Sequence, residues 1–179
     1  MDTVSTVAAR TGLLAFLRAA TADAHRGLDA SFSALPLDSR AGFARFLVGH
    51  AIGWTALGAQ LRTFAARELD TPVPDYAALP RIAPPAAECP VAVSYVLAGS
   101  RMGIAMIRRQ PTWAGETGRS GRYLADPSGP DLFRALRDWM DGPAGDEVDR
   151  DAAARAACGA FAVFADAFVL SAETAGAAE

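Results

Sequence analysis

The sequence predicts an all-α domain of roughly five principal helices, and three observations carry that expectation. Apolar residues recur every three or four positions over long stretches. No segment alternates at period two between turn pairs, as a strand would. Clusters of Pro and Gly separate the periodic stretches, and interior prolines break helices. No repeat of 20–50 residues interrupts this pattern.

The first helix is expected over Leu13 to Leu28, where Leu13, Leu14, Phe16, Leu17, Ala20, Ala24 and Leu28 follow helical spacing. Leu35 and Pro36 close that stretch, and Asp38 and Ser39 offer an N-cap for the next. A long helix follows, with Phe43, Phe46, Leu47, His50, Trp54, Leu57, Leu61 and Phe64 on its apolar side. Residues 70–88 hold five prolines and read as a loop. Pro90 suits the first turn of the third helix, which runs to about Arg109. Residues 111–130 form a second loop, and DLFRALRDWM a short amphipathic helix from Asp131. The acidic stretch DGPAGDEVDRD turns the chain into a last helix from about Asp149 to Ser171. The expected organisation is a loose segment over 1–10, one helical domain over 11–173 and a tail over 174–179.

At 179 residues and 51% apolar composition, the chain has enough material to bury a core without staples. Two cysteines, Cys89 and Cys158, cannot make a disulfide framework or a four-ligand zinc site. The net charge of −3 and the absence of a basic stripe argue against a nucleic-acid partner. All basic residues are Arg. The longest uncharged run, between Arg45 and Arg62, is shorter than the ~20 residues that span a bilayer. The sequence is therefore read as cytoplasmic, with no membrane segment.

Two constellations could carry chemistry. On a helix, Arg18, Thr21 and Asp29 share a face with His25. A neutral imidazole can bind a metal through one nitrogen while the other is oriented by a hydrogen bond. Asp29 is one turn away and suited to that bond. Arg18 is two turns back, placed to meet an anionic edge of a large flat ligand. The same spacing also fits a partly buried histidine among surface charges.

Gly99 and Gly103 form the second constellation, one turn apart in the third helix with Ser100 beside them. Each costs about 1 kcal/mol relative to Ala in a helix interior. Taken alone the pair reads as close helix–helix packing ahead of ligand contact, although it also offers a bare strip of backbone against which a flat ligand could lie. Packing is the expectation for Gly49 and Gly53. The stripe Phe161, Phe164 and Phe168 reads as core, as do Phe133 and Trp139, and His50 reads as structural. Arg134 and Arg137 read as a solvated face or as anion contacts. A di-iron site is excluded, because two histidines and no paired Glu-x-x-His motif cannot assemble one.

In order along the chain, these segments resemble heme oxygenases, in particular the compact bacterial biliverdin-producing type. LRAATADAHRGLD (17–29) looks like the family's proximal helix, and AGFARFLVGHAIGWTALGAQL (41–61) like its second. YVLAGSRMGIAMIRR (95–109) looks like the distal helix, and AACGAFAVFADAF (156–168) like the last. The resemblance covers most of residues 13–170. It implies that His25 is the axial ligand of a heme iron, with Gly99, Ser100 and Gly103 on the catalytic face. It further implies heme contacts from Arg18, Thr21, Asp29, Arg134 and Arg137, the arginines meeting propionates.

The activity it implies is oxidative opening of heme, at once substrate and cofactor, to biliverdin, carbon monoxide and ferrous iron. Electrons would come from an external ferredoxin or flavoprotein reductase, and a bilin-accepting photoreceptor is a candidate recipient of the product. Two positions depart from the family pattern. Ala98 stands where many bacterial relatives have Glu, and Ile104 where a glycine is usual. Rotated about 100° from Gly103, Ile104 is expected to point toward a neighbouring helix. The competing reading is a scaffold of the same shape that binds heme or a protein partner without turnover.

Overall fold

The structure, a computed structural model, describes residues 12–64, 89–112 and 128–176. Those residues form seven helices and no strand. The helices are α1 (Leu13–Ala20), α2 (Ala22–Ser33), α3 (Arg40–Phe64), α4 (Pro90–Ile107), α5 (Ser128–Met140), α6 (Pro143–Asp146) and α7 (Arg150–Gly176). The all-α expectation holds. The N-terminal segment 1–10, the loop over 70–88 and most of the loop over 111–130 lie outside the described residues.

The expected first helix is two. Thr21 departs from helical geometry at φ −105° and ψ 4°. Its backbone N–H and its Oγ1 hydroxyl both donate to the Leu17 carbonyl, at 2.9 and 2.8 Å. A hydroxyl bonded back to the carbonyl four residues earlier competes with the helical ladder and bends it. The ladder resumes at once, with His25 N–H donating to the Thr21 carbonyl at 2.9 Å.

The other boundaries follow from capping. Ser39 Oγ accepts the Gly42 N–H at 3.0 Å and so caps α3. A Cβ on Gly42 would collide with the Pro36 carbonyl, so the entry to α3 needs a residue without one. Pro90 occupies the first turn of α4 after an extended Cys89, as expected. Asp149 Oδ1 accepts the N–H groups of Asp151 and Ala152 at 2.9 and 3.1 Å, which starts α7. Two ends differ from expectation. The fourth expected helix, here α5, begins at Ser128 rather than Asp131, and α7 continues to Gly176, through the start of the expected tail. The acidic turn also winds into α6.

The long helices α3 and α7 lie against each other, and α4 packs on α5, α3 and α7. Their shared core contains Leu13, Leu17, Trp54, Leu57, Leu97 and Phe164. Burying each such side chain contributes roughly 1.5–3 kcal/mol. Glycine sets the spacing between α3 and α7. A Cβ on Gly53 would strike the Phe164 ring, and one on Gly49 would meet Phe32 at 3.3 Å. Packing is therefore their role, as the sequence suggested. Phe161 and Phe164 are buried as expected, while Phe133, Trp139 and Phe168 are half-buried at the edges of the core.

Two helical stretches, Pro90–Ile107 and Arg150–Ala172, are long and apolar enough to cross a membrane by length and composition. In this fold about half of each stretch is buried, Val91 to Ala98 without interruption, while Met102, Met106 and Val169 are exposed.

Candidate functional site

Between α2 and α4 lies a cavity of about 1090 Å³. Arg18, His25 and Asp29 line it from the α1–α2 side, and Gly99, Ser100 and Gly103 from α4. Phe161 and Phe164 of α7 and His50 of α3 contribute further walls. The bend at Thr21 does not separate Arg18 from His25, because the hydrogen-bond ladder runs through it.

His25 Nδ1 lies 2.8 Å from Asp29 Oδ2, one helical turn away. Both side chains are more than half exposed, so solvent screens the pair and it adds little to stability. Its effect is geometric. An imidazole that donates through Nδ1 keeps the lone pair of Nε2 free for a ligand. The edge of Phe161 packs against the ring at 5.6 Å between centroids and 72° between planes, which restricts its rotation.

Among the described residues, the α4 glycines do not pack against another helix. No described atom lies within 4 Å of where a Cβ would stand on Gly99 or Gly103. Both line the cavity, so α4 presents a strip of bare backbone to it. The contrast with Gly49 and Gly53 separates two uses of one sequence pattern. Ile104 is 2% exposed and packs with Phe32, Phe43 and Phe46 of α2 and α3. It also forms part of the cavity wall.

Ser100 accepts the indole N–H of Trp54 at 2.9 Å and donates its own hydroxyl proton to the Leu97 carbonyl at 2.7 Å. Thr21 is 1% exposed, its hydroxyl is spent on Leu17, and it does not line the cavity. Arg134 and Arg137 do not line it either. They lie on the exposed face of α5 and pair with Asp131 and Asp138 at 2.8 and 2.6 Å. Of the expected arginines, the structure brings Arg18 to the cavity.

The sequence reading took His50 as structural and did not place it at the site. It lines the cavity inside a cage of Phe46, Phe32 and Phe164, at centroid distances of 4.7, 5.1 and 5.7 Å. Burial, with the positive Arg101 adding to it, pushes its pKa down to about 3, so the imidazole is neutral. Both histidines of the chain thus line one cavity. Met102 and Met106, exposed on α4, line it as well. The sequence signal for His50 was a polar residue inside an otherwise apolar stripe, which core packing explains equally well.

Among the described residues, no group of three or more His, Cys, Asp and Glu could hold a metal ion. The arrangement instead offers one oriented imidazole, one arginine and an open backbone strip around a large, mainly aromatic and aliphatic space. No protein-family model, curated protein or solved structure matches this chain.

Proposed function

We propose that this cavity binds heme and that the protein is a heme oxygenase. The observation that carries the reading is the cavity flanked by His25, oriented through Nδ1 by Asp29, and by the side-chain-free strip at Gly99 and Gly103. A lone imidazole suffices as protein ligand for an iron whose equatorial positions a macrocycle already fills. A strip that a Cβ would fill is what a planar ring needs in order to lie against a helix.

In this reading His25 would hold the iron through Nε2, and Asp29, 2.8 Å from Nδ1, would orient the imidazole. Arg18 meets a carboxylate at the edge of the ring through charge-assisted hydrogen bonds. The rings of Phe161 and Phe164 exclude water from the apolar portion. Heme, as substrate and cofactor, would supply the oxygen-activating iron, and the products would be biliverdin, carbon monoxide and ferrous iron. Gly99 and Gly103 leave room beside the ring and limit the directions open to a small ligand there. An external ferredoxin or flavoprotein reductase would provide electrons.

The second reading is heme binding without turnover, and Ser100 favours it, because its one proton is committed to Leu97. The test is to add hemin, then a reductant in air, and to follow the visible spectrum. Growth of a bilin band is the expected result. A stable heme spectrum establishes the scaffold, and the absence of any heme spectrum overturns both readings.

A further inference from the structure

We infer that Trp54 is a positioning residue for the α4 wall of the cavity, holding the Gly99–Gly103 strip in place from its flank through Ser100. The cavity face of α4 cannot hold itself. No described atom approaches the Cβ positions of Gly99 and Gly103 within 4 Å, so no side-chain packing fixes the height of the strip on that side. Whatever sets that height acts from the other faces of the helix.

Trp54 is 2% exposed in α3, and its indole N–H reaches across to Ser100 Oγ at 2.9 Å. Ser100 stands between the two glycines in sequence and passes its proton to the Leu97 carbonyl at 2.7 Å. One indole is thereby tied to the turn of α4 that ends in the strip. Arg101, 2% exposed, lies next to this tie with its guanidinium 5.9 Å from the Trp54 ring centroid. On α5, Gly129 has no side chain, and a Cβ there would come within 2.8 Å of Arg101 Cβ. Thus α3 grips α4 at Ser100, beside the open strip, and α5 approaches it at Arg101, behind the strip.

This arrangement gives Ser100 a different part from the catalytic one that sequence resemblance implied. Its single proton is already donated, so releasing it to a ligand would break the bond to Leu97. Ser100 acts as the contact point through which Trp54 sets the backbone, and protons for the cavity come by another route.

The inference rests on the reading of the cavity as a heme site for one of its two tests, and the other needs no ligand. In the protein without hemin, Trp54→Phe deletes the N–H together with part of the indole, and Ser100→Ala, made beside it, cuts the same tie without touching the ring. Amide hydrogen exchange at Gly103 and Ile104 should then rise about three- to tenfold relative to α7, the range a net hydrogen bond supports. Unchanged exchange at those amides overturns the inference. With ferric hemin bound, Trp54→Phe, Ser100→Ala and the double variant should show one common displacement. It should appear in the visible spectrum and in the pH at which that spectrum changes, because all three cut the same tie. A Trp54→Phe spectrum identical to the parent overturns the inference. So does a displacement in Ser100→Ala alone, which would make Ser100 the acting group. Failure of the parent protein to bind hemin overturns the proposed function and leaves the exchange measurement to decide the role of Trp54.

Discussion

The 2.8 Å approach of His25 Nδ1 to Asp29 Oδ2 makes a specific demand on substitution. His25→Ala should leave the fold intact, because the side chain is more than half exposed and its pair is screened. The same change should remove the axial histidine signature from the spectrum of bound hemin, and added imidazole should restore it. If His50→Ala abolishes that signature and His25→Ala does not, the ligand is the other histidine. His50 makes the opposite demand. Its folded pKa of about 3 lies below the ordinary 6.5, so the unfolded chain takes up a proton first as the pH falls. Stability is therefore lost on acidification between about pH 6.5 and 3, at up to about 1.4 kcal/mol per pH unit. His50→Phe, which fits an aromatic cage, should flatten the fall in denaturant midpoint between pH 7 and 5 relative to the parent.

Helices α3 and α4 each carry a glycine pair at the same spacing, yet the two pairs answer to different constraints. Adding a methyl at Gly53 drives it into the Phe164 ring, so Gly53→Ala should destabilise the protein by about 1–3 kcal/mol despite its better helix propensity. At Gly103 a side chain finds open space. Gly103→Leu should therefore fold with a melting temperature at or above that of the parent, since an interior glycine costs about 1 kcal/mol relative to Ala. It should nevertheless weaken hemin binding at least tenfold by filling the face the ring would use. Equal hemin affinity in Gly103→Leu would remove the strip from the site. The chain retains two destabilising glycines that no described residue packs against, which is what the proposed ligand face would require.

The cavity is walled by α2 on one side and α4 on another, with α3 and α7 contributing His50, Phe161 and Phe164. A ligand bound there links helices that are distant in sequence, so its binding energy adds to the stability of the packed bundle. At a hundredfold excess over its dissociation constant, hemin should contribute about 2.7 kcal/mol. For a chain of this length that is a rise of about 5–10 °C in melting temperature. The thermal shift should follow hemin concentration and shrink in Gly103→Leu. A melting temperature indifferent to hemin contradicts binding at this position.

The order of helices was legible because it rests on local signals: apolar residues at helical spacing, Ser39 as a cap, Pro90 in a first turn. The pairing of His25 with Asp29 was legible for the same reason, since positions four apart on a helix face one another. The break at Thr21 was not, because it arises when one hydroxyl competes for one carbonyl, and threonine sits in many unbroken helices. Nor could the sequence distinguish Gly49 and Gly53 from Gly99 and Gly103. Spacing puts both pairs on one helix face, but what faces them depends on segments far along the chain. Phe164 meets Gly53, and nothing described meets Gly103. Arg134 and Arg137 show the same limit from the other side. They have the charge for an anion contact, and the rotation of α5 turns them to Asp131 and Asp138 on its exposed face. Periodicity and capping are short-range, so residues within a turn or two fix them. A cavity is the space left between helices, and its walls are set by the long-range packing of α2, α3, α4 and α7.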